Sequence, residues 1–162
     1  MWGAKMNRSE YLNAVNEFFY QGEVFGEAVF LCYAGLEKDA GRRRKWATCL
    51  QLETETKARL RPFLMRLGLS VAQDDVRDKV AELSKTFASK SWRQHMEEMI
   101  GITDMYLEKF RAIEAAAPLD EREMARSMVA HETALNRFAR LALAGDTRNS
   151  LADVEAQLQW PL

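Results

Sequence analysis

The residues most able to do chemistry are acids set among apolar neighbours. Glu27 stands inside Val24-Phe25-Gly26-Glu27-Ala28-Val29-Phe30, and Glu23 lies one helical turn earlier on the same face. A second stripe runs Trp46, Cys49, Glu53, Thr56, Leu60, Phe63. Its steps of three and four put Glu53 and Thr56 on the seam of a helix. A third stripe, Met124, Met128, His131, Leu135, Phe138 and Ala142, puts His131 on another seam. There Met128 and His131 repeat the spacing of Glu53 and Thr56. A carboxylate in a core must be protonated, hydrogen-bonded or bound to a metal. Hard carboxylates with one imidazole suit iron, and after it manganese, better than copper(I). Glu23, Glu27, Glu53 and His131 are therefore the candidate metal ligands.

Each has a plainer reading. The acids can be hydrogen-bonded structural groups, and His131 a satisfied core histidine. Met96, Met99, Met128 and His131 could form a soft thioether site, but methionine at helical spacing is normally core filler. The run Arg42-Arg43-Arg44-Lys45 sits at a hairpin tip beyond a helix C-terminus, where the dipole favours cations. It reads as a solvated tip. No phosphate-binding glycine loop, dinucleotide fingerprint, nucleophile elbow or Cys-x-x-Cys pair occurs. Nucleotide chemistry and nucleophilic hydrolysis have no motif to act through.

These residues need elements to hold them. The chain has 162 residues, 48% hydrophobic and 29% charged, which suits one globular domain. A net charge of −1 gives no support to a nucleic-acid binder. Alanine and leucine outnumber valine and isoleucine by more than three to one, so the chain reads as all-α. The first helix runs from an N-cap at Ser9 to about Lys38, with a face made of Val15, Phe19, Gly22, Phe25, Val29, Cys32 and Leu36. The second starts after Asp39-Ala40-Gly41 and runs to about Leu67, kinked or cut short at Pro62 and stopped by Gly68. The segment 73–87 reads as a short helix or as an N-terminal extension of the third main helix. The third main helix covers 91–117, with the stripe Trp92, Met96, Met99, Thr103, Tyr106, Phe110 and Ile113, and ends at Pro118. The fourth covers 119–144 and closes at Gly145. Ser150 caps a last helix over 151–159, and Trp160 covers one end of the core. Short turns make helices one and two, and three and four, antiparallel neighbours, joined by a long crossover.

The string Leu52-Glu53-Thr54-Glu55-Thr56 resembles the second-helix motif of the ferritin-like superfamily, particularly its rubrerythrin-like members, with Thr replacing His. Met128-Val129-Ala130-His131-Glu132 resembles the fourth-helix motif with Met replacing Glu. The resemblance implies a ferritin-like four-helix bundle of two antiparallel hairpins. It implies acids from the first and third helices and Glu-x-x-His pairs from the second and fourth, holding iron for redox or oxygen chemistry. In the same register, 75 residues separate Glu53 from Met128, Thr56 from His131 and Glu23 from Glu98. A turn near Pro118, however, sets Glu108 rather than Glu98 level with Met128. The third-helix ligand stays open between His95, Glu98 and Glu108. His95, beside Gln94 and Glu97, reads as a surface residue.

No apolar region follows Met1–Met6, and the longest apolar run is too short to span a bilayer. A cytoplasmic protein without membrane or nucleic-acid partners is expected. Cys32 and Cys49 are centred on the first turn, so they should sit at one height as reduced thiols without a catalytic role. Two functions are open. One is a metal-dependent redox protein. The other is a non-catalytic bundle with a vestigial site, its apolar faces serving a partner or a homodimer.

Overall fold

Asn7, not Ser9, caps the first helix. Its side chain accepts from the Glu10 amide at 3.0 Å, and the Glu10 carboxylate accepts from the Asn7 amide at 2.8 Å. This reciprocal pair satisfies two orphan donors, which a serine cap at position 9 would not do. In this computed structural model, residues 6–146 and 148–162 are described; the expectation for the Met1–Lys5 stretch lies outside them. Helix α1 (Arg8–Ala14) passes through a π-helical turn (Val15–Tyr20) into α2 (Gln21–Leu36). The π turn adds a residue to one turn and so rotates the face that follows. Before it Tyr11 and Ala14 are buried, within it Val15, Phe19 and Tyr20, and after it the core face is Glu23, Val24 and Phe30. The regular stripe through Gly22, Phe25, Val29, Cys32 and Leu36 is therefore displaced from the core, and Leu36 is exposed.

Asp39 caps α3 (Ala40–Arg66), accepting from the Arg42 amide at 2.8 Å. Arg43 turns back to donate to the Glu37 carbonyl, so the basic tip serves the orphan carbonyls of α2. Pro62 does not end α3 early. The helix runs four residues further, because Pro62 and Ala58 both face solvent, where a lost backbone bond is met by water. Gly68, at φ +71°, stops the chain. Helices α2 and α3 are antiparallel: Phe30 stacks on Trp46 at 5.9 Å, and Glu27 meets Thr54.

The crossover begins as an extended strap. Side chains of the first helical rod hold its backbone: Asn16 donates to Ser70, Tyr20 to Val71 and Gln21 to Ala72. Helix α4 (Arg77–Phe87) then packs on α2. Ser91 and Gln94 form a second capping box for α5 (Trp92–Ala116). Helix α6 (Arg122–Leu143) returns antiparallel, with Asn136 donating to Thr103 and Arg140 pairing with Asp104. Gly145, at φ +89°, ends it. The last helix, α7 (Ala152–Glu155), is shorter than the spacing predicts, and Ser150 accepts from Lys45 instead of capping it. Trp160 is 69% exposed and covers no core; its backbone amide and that of Gln159 donate to the Glu55 carboxylate.

The described residues form helices and no strand, and none of their helices is long and apolar enough to cross a membrane. The core has two apolar clusters. One gathers Tyr11, Phe19, Leu60, Phe110 and Met128; the other gathers Phe30, Trp46, Cys49, Met96 and Phe138. Met128 thus lies apart from Met96 and Met99, which separates the sulfurs a thioether site would need together. Cys49 is in the second cluster, whereas Cys32 faces α4 beside Val76 and Val80. Both are free thiols, and burial pushes both up from the usual thiol range.

Candidate metal centre

Glu23 from α2, Glu53 from α3 and His131 from α6 converge between the two apolar clusters. One ligand atom from each lies within 4.8 Å of the others, and all three side chains are buried. His131 Nε2 stands 3.5 Å from Glu23 Oε1 and 3.6 Å from Glu53 Oε1. Neither is a hydrogen bond: His131 Nε2 and Glu23 Oε2 have no bonded partner. The other ring nitrogen, Nδ1, is fixed at 3.0 Å from Thr56 Oγ1. The 75-residue register therefore brings Thr56 and His131 into direct contact across the seam between the hairpins.

Local sequence explains each position. The π turn swings Glu23 inward, one residue from where an unbroken α-helix would put it. Glu53 fits because residue 26 is glycine. A Cβ there would lie 2.7 Å from the Glu53 carboxyl carbon, closer than real contacts allow. Burial, then the Glu53 charge and a hydrogen bond with Glu53, hold the Glu23 carboxyl well above the ordinary range. Glu132, next to His131 in sequence, is also buried; burial and then the Glu53 charge push it up likewise. Sequence reasoning missed Glu132. Its spacing carried a signal, since it stands four residues after the seam residue Met128 and three before Leu135.

Glu27 is not drawn into this group. Its oxygens accept from Thr54 at 2.8 Å and from Lys57, which is itself buried. On α2 it stands four residues beyond Glu23, on the face turned towards α3. Removing the acid would strand a buried ammonium. Glu27→Ala is expected to cost about 2–4 kcal/mol in urea melts, with binding at the Glu23–Glu53–His131 group unaltered.

Helix α5 sends no ligand. Glu98 pairs with Lys90 and Glu108 is exposed. His95 is not a surface residue: it is 5% exposed and lies among Tyr33, Trp46 and Phe87. It shares a face with Trp92 and Met99, which the glutamine and glutamate beside it obscured. The ring bonds the Phe87 carbonyl through Nε2 at 3.2 Å. Burial is the main cause that lowers its pKa; the Phe87 bond, Glu98 and Glu37 oppose this, and Lys90 adds to it. A depressed histidine binds fewer protons folded than unfolded. Stability is therefore expected to fall as pH drops through the ordinary histidine range, by no more than about 1.4 kcal/mol per pH unit from this group. His95→Phe should remove that part of the slope, measured as urea midpoints between pH 5 and 7.5.

The group as a whole offers two carboxylates and one imidazole with unbonded lone pairs in a buried space. Such acceptors repel unless protons or a cation lie between them. Comparison of the chain with protein-family models, with curated proteins and with solved structures found no match to any of them.

Proposed function

We propose that this protein is a metal-binding helical bundle of ferritin-like arrangement, in which Glu23, Glu53 and His131 hold one divalent first-row metal ion. The observation that carries the reading is the pair of orphaned buried atoms, Glu23 Oε2 and His131 Nε2, within a group whose ligand atoms lie within 4.8 Å. Orphaned polar atoms of this kind are rare in a folded core. Thr56 supports the reading as an outer partner: with Nδ1–H donating to Thr56, the Nε2 lone pair is left for a metal. Two carboxylates and one imidazole favour iron, then manganese. Iron held there supplies one-electron and oxygen chemistry. The chain's own part is to bury the ligands, fix the imidazole and bring two acids together. Glu27 stays engaged with Lys57, and Thr56 and Met128 stand where a two-metal motif has His and Glu. One ion suits this set better than two.

A second reading is favoured by the closeness of the Glu23 and Glu53 carboxyls, which lets one proton be shared between both acids. In it the site is vestigial, and exposed apolar residues such as Leu31 and Leu36 on α2 serve a second copy of the chain. Elemental analysis separates the two. Protein purified without a metal-affinity tag, or reconstituted anaerobically with ferrous iron, is expected to carry one metal per chain. Glu53→Ala is expected to carry less than about a tenth of that. Wild-type protein that remains metal-free after reconstitution would leave the vestigial reading standing, with a dimer in light scattering as its own support.

A further inference from the structure

A cavity of about 140 Å³ lies between α2 and α5, beside the acids but larger than they require. Its walls repeat at helical spacing. From α2 come Gly22, Phe25, Val29 and Tyr33; from α5 come His95, Met99, Ile102 and Tyr106. The two walls are antiparallel, which fixes the ends. At one end the Tyr33 ring meets His95 at 5.4 Å. At the other, Tyr106 lies over Gly22, 3.6 Å from where a Cβ would be. The α2 wall runs over twelve residues, Gly22 to Tyr33, or about 16 Å of helix. The space is a slot, long and narrow, with Ile102 at its exposed rim.

The lining is chiefly apolar, and its polar groups are selective. No lysine or arginine lines the slot, so nothing there would balance a buried carboxylate. At the Tyr33 end, His95 must donate through Nε2, because the Phe87 carbonyl only accepts. Its Nδ1 is then an acceptor, and it is buried without a partner. An acceptor at the end of an apolar slot calls for one donor on an otherwise apolar molecule. A cavity of comparable size lined by apolar side chains, about 150 Å³, is large enough to hold benzene.

We propose that the slot between α2 and α5 binds an uncharged aliphatic alcohol, its chain lying along Val29 and Met99 and its hydroxyl donating to His95 Nδ1. This goes beyond the metal reading and does not depend on it. The ligand class follows from three features together. The length favours a chain over a ring, the lack of a cationic partner disfavours a carboxylate, and His95 asks for a donor.

The test is calorimetric titration of metal-free full-length protein with 1-octanol, octanoate and benzyl alcohol. One equivalent of octanol is expected to bind saturably, benzyl alcohol at least about tenfold more weakly, and octanoate not at all. His95→Phe keeps the aromatic packing and removes the acceptor, and should weaken octanol about tenfold. Val29→Trp and Ile102→Trp fill the slot from opposite walls; each should abolish octanol binding while keeping the wild-type helical circular dichroism. Ile102 is already half exposed, so its variant tests the slot even if Val29→Trp fails to fold. Absence of saturable octanol binding would overturn the proposal, as would unchanged binding in the filled variants. Tighter binding of benzyl alcohol or octanoate would overturn the ligand class, and an unaltered His95→Phe the placement of the hydroxyl. Metal loading is measured separately, so failure of one site does not pass for failure of the other.

Discussion

Gly26→Ala is expected to abolish metal binding while leaving the bundle folded. The added methyl would sit 2.7 Å from the Glu53 carboxyl carbon and 2.7 and 2.9 Å from its oxygens. Backbone cannot move there without disturbing the α2–α3 packing, so the flexible end of Glu53 must give way. Glycine to alanine within a helix gains about 1 kcal/mol from backbone entropy. That gain offsets the displacement, and the melting temperature should change little. Affinity should behave differently. Moving one of three ligands away removes it from the coordination sphere, with an expected loss of about 100-fold or more. Ferrous or manganous titration followed by elemental analysis reads the loss, and thermal circular dichroism reads the stability. A variant that loads metal like the wild type would show that Glu53 is not a ligand.

Trp46→Ala is expected to be the most destabilising single truncation in the second core cluster. Trp46 is 1% exposed, and its ring meets Phe30, Tyr33, Trp92 and His95 at centroid distances from 5.2 to 6.0 Å. It joins α2, α3 and α5, so no one helix can shift to refill the gap. Truncating a buried tryptophan costs about 3–5 kcal/mol. Against a total of about 5–15 kcal/mol, this brings the fold close to its threshold. Urea unfolding measures it directly. A loss below about 1 kcal/mol would mean that the aromatic cluster does not act as one packed unit.

Much of this was legible in spacing. The stripes of α3, α5 and α6 advance regularly, so Glu53, Thr56 and His131 could be placed on inward seams from the residues alone. The first helix was harder, because its period is broken. No glycine or proline marks the π turn at Val15–Tyr20. Reading straight through it keeps Gly22, Phe25 and Val29 on the core face, when they line the slot instead. It also leaves Glu23 and Glu27 equivalent, whereas the rotated face buries Glu23 and gives Glu27 to Lys57 and Thr54. His95 and Glu132 were obscured for another reason. Each stands beside charged or polar neighbours, and its own distance to apolar residues three and four positions away was the better guide. Pro62 shows the limit of a residue rule: it breaks a helix where its missing bond is buried, and here it is not.

The seam between the hairpins also sets an order of events in folding. Within each hairpin, contacts join residues close in the chain: Phe30 to Trp46, Glu27 to Thr54, Thr103 to Asn136. Between them, the chain must close far longer loops, 75 residues for Thr56 to His131 and 105 for Lys45 to Ser150. Loop-closure entropy makes the local contacts the earlier ones. Each hairpin can therefore zip from its own turn while Glu53 and His131 are still hydrated on separate pieces. Their water is stripped only when the halves dock, so the cost of dehydrating the acids falls on the last step rather than the first.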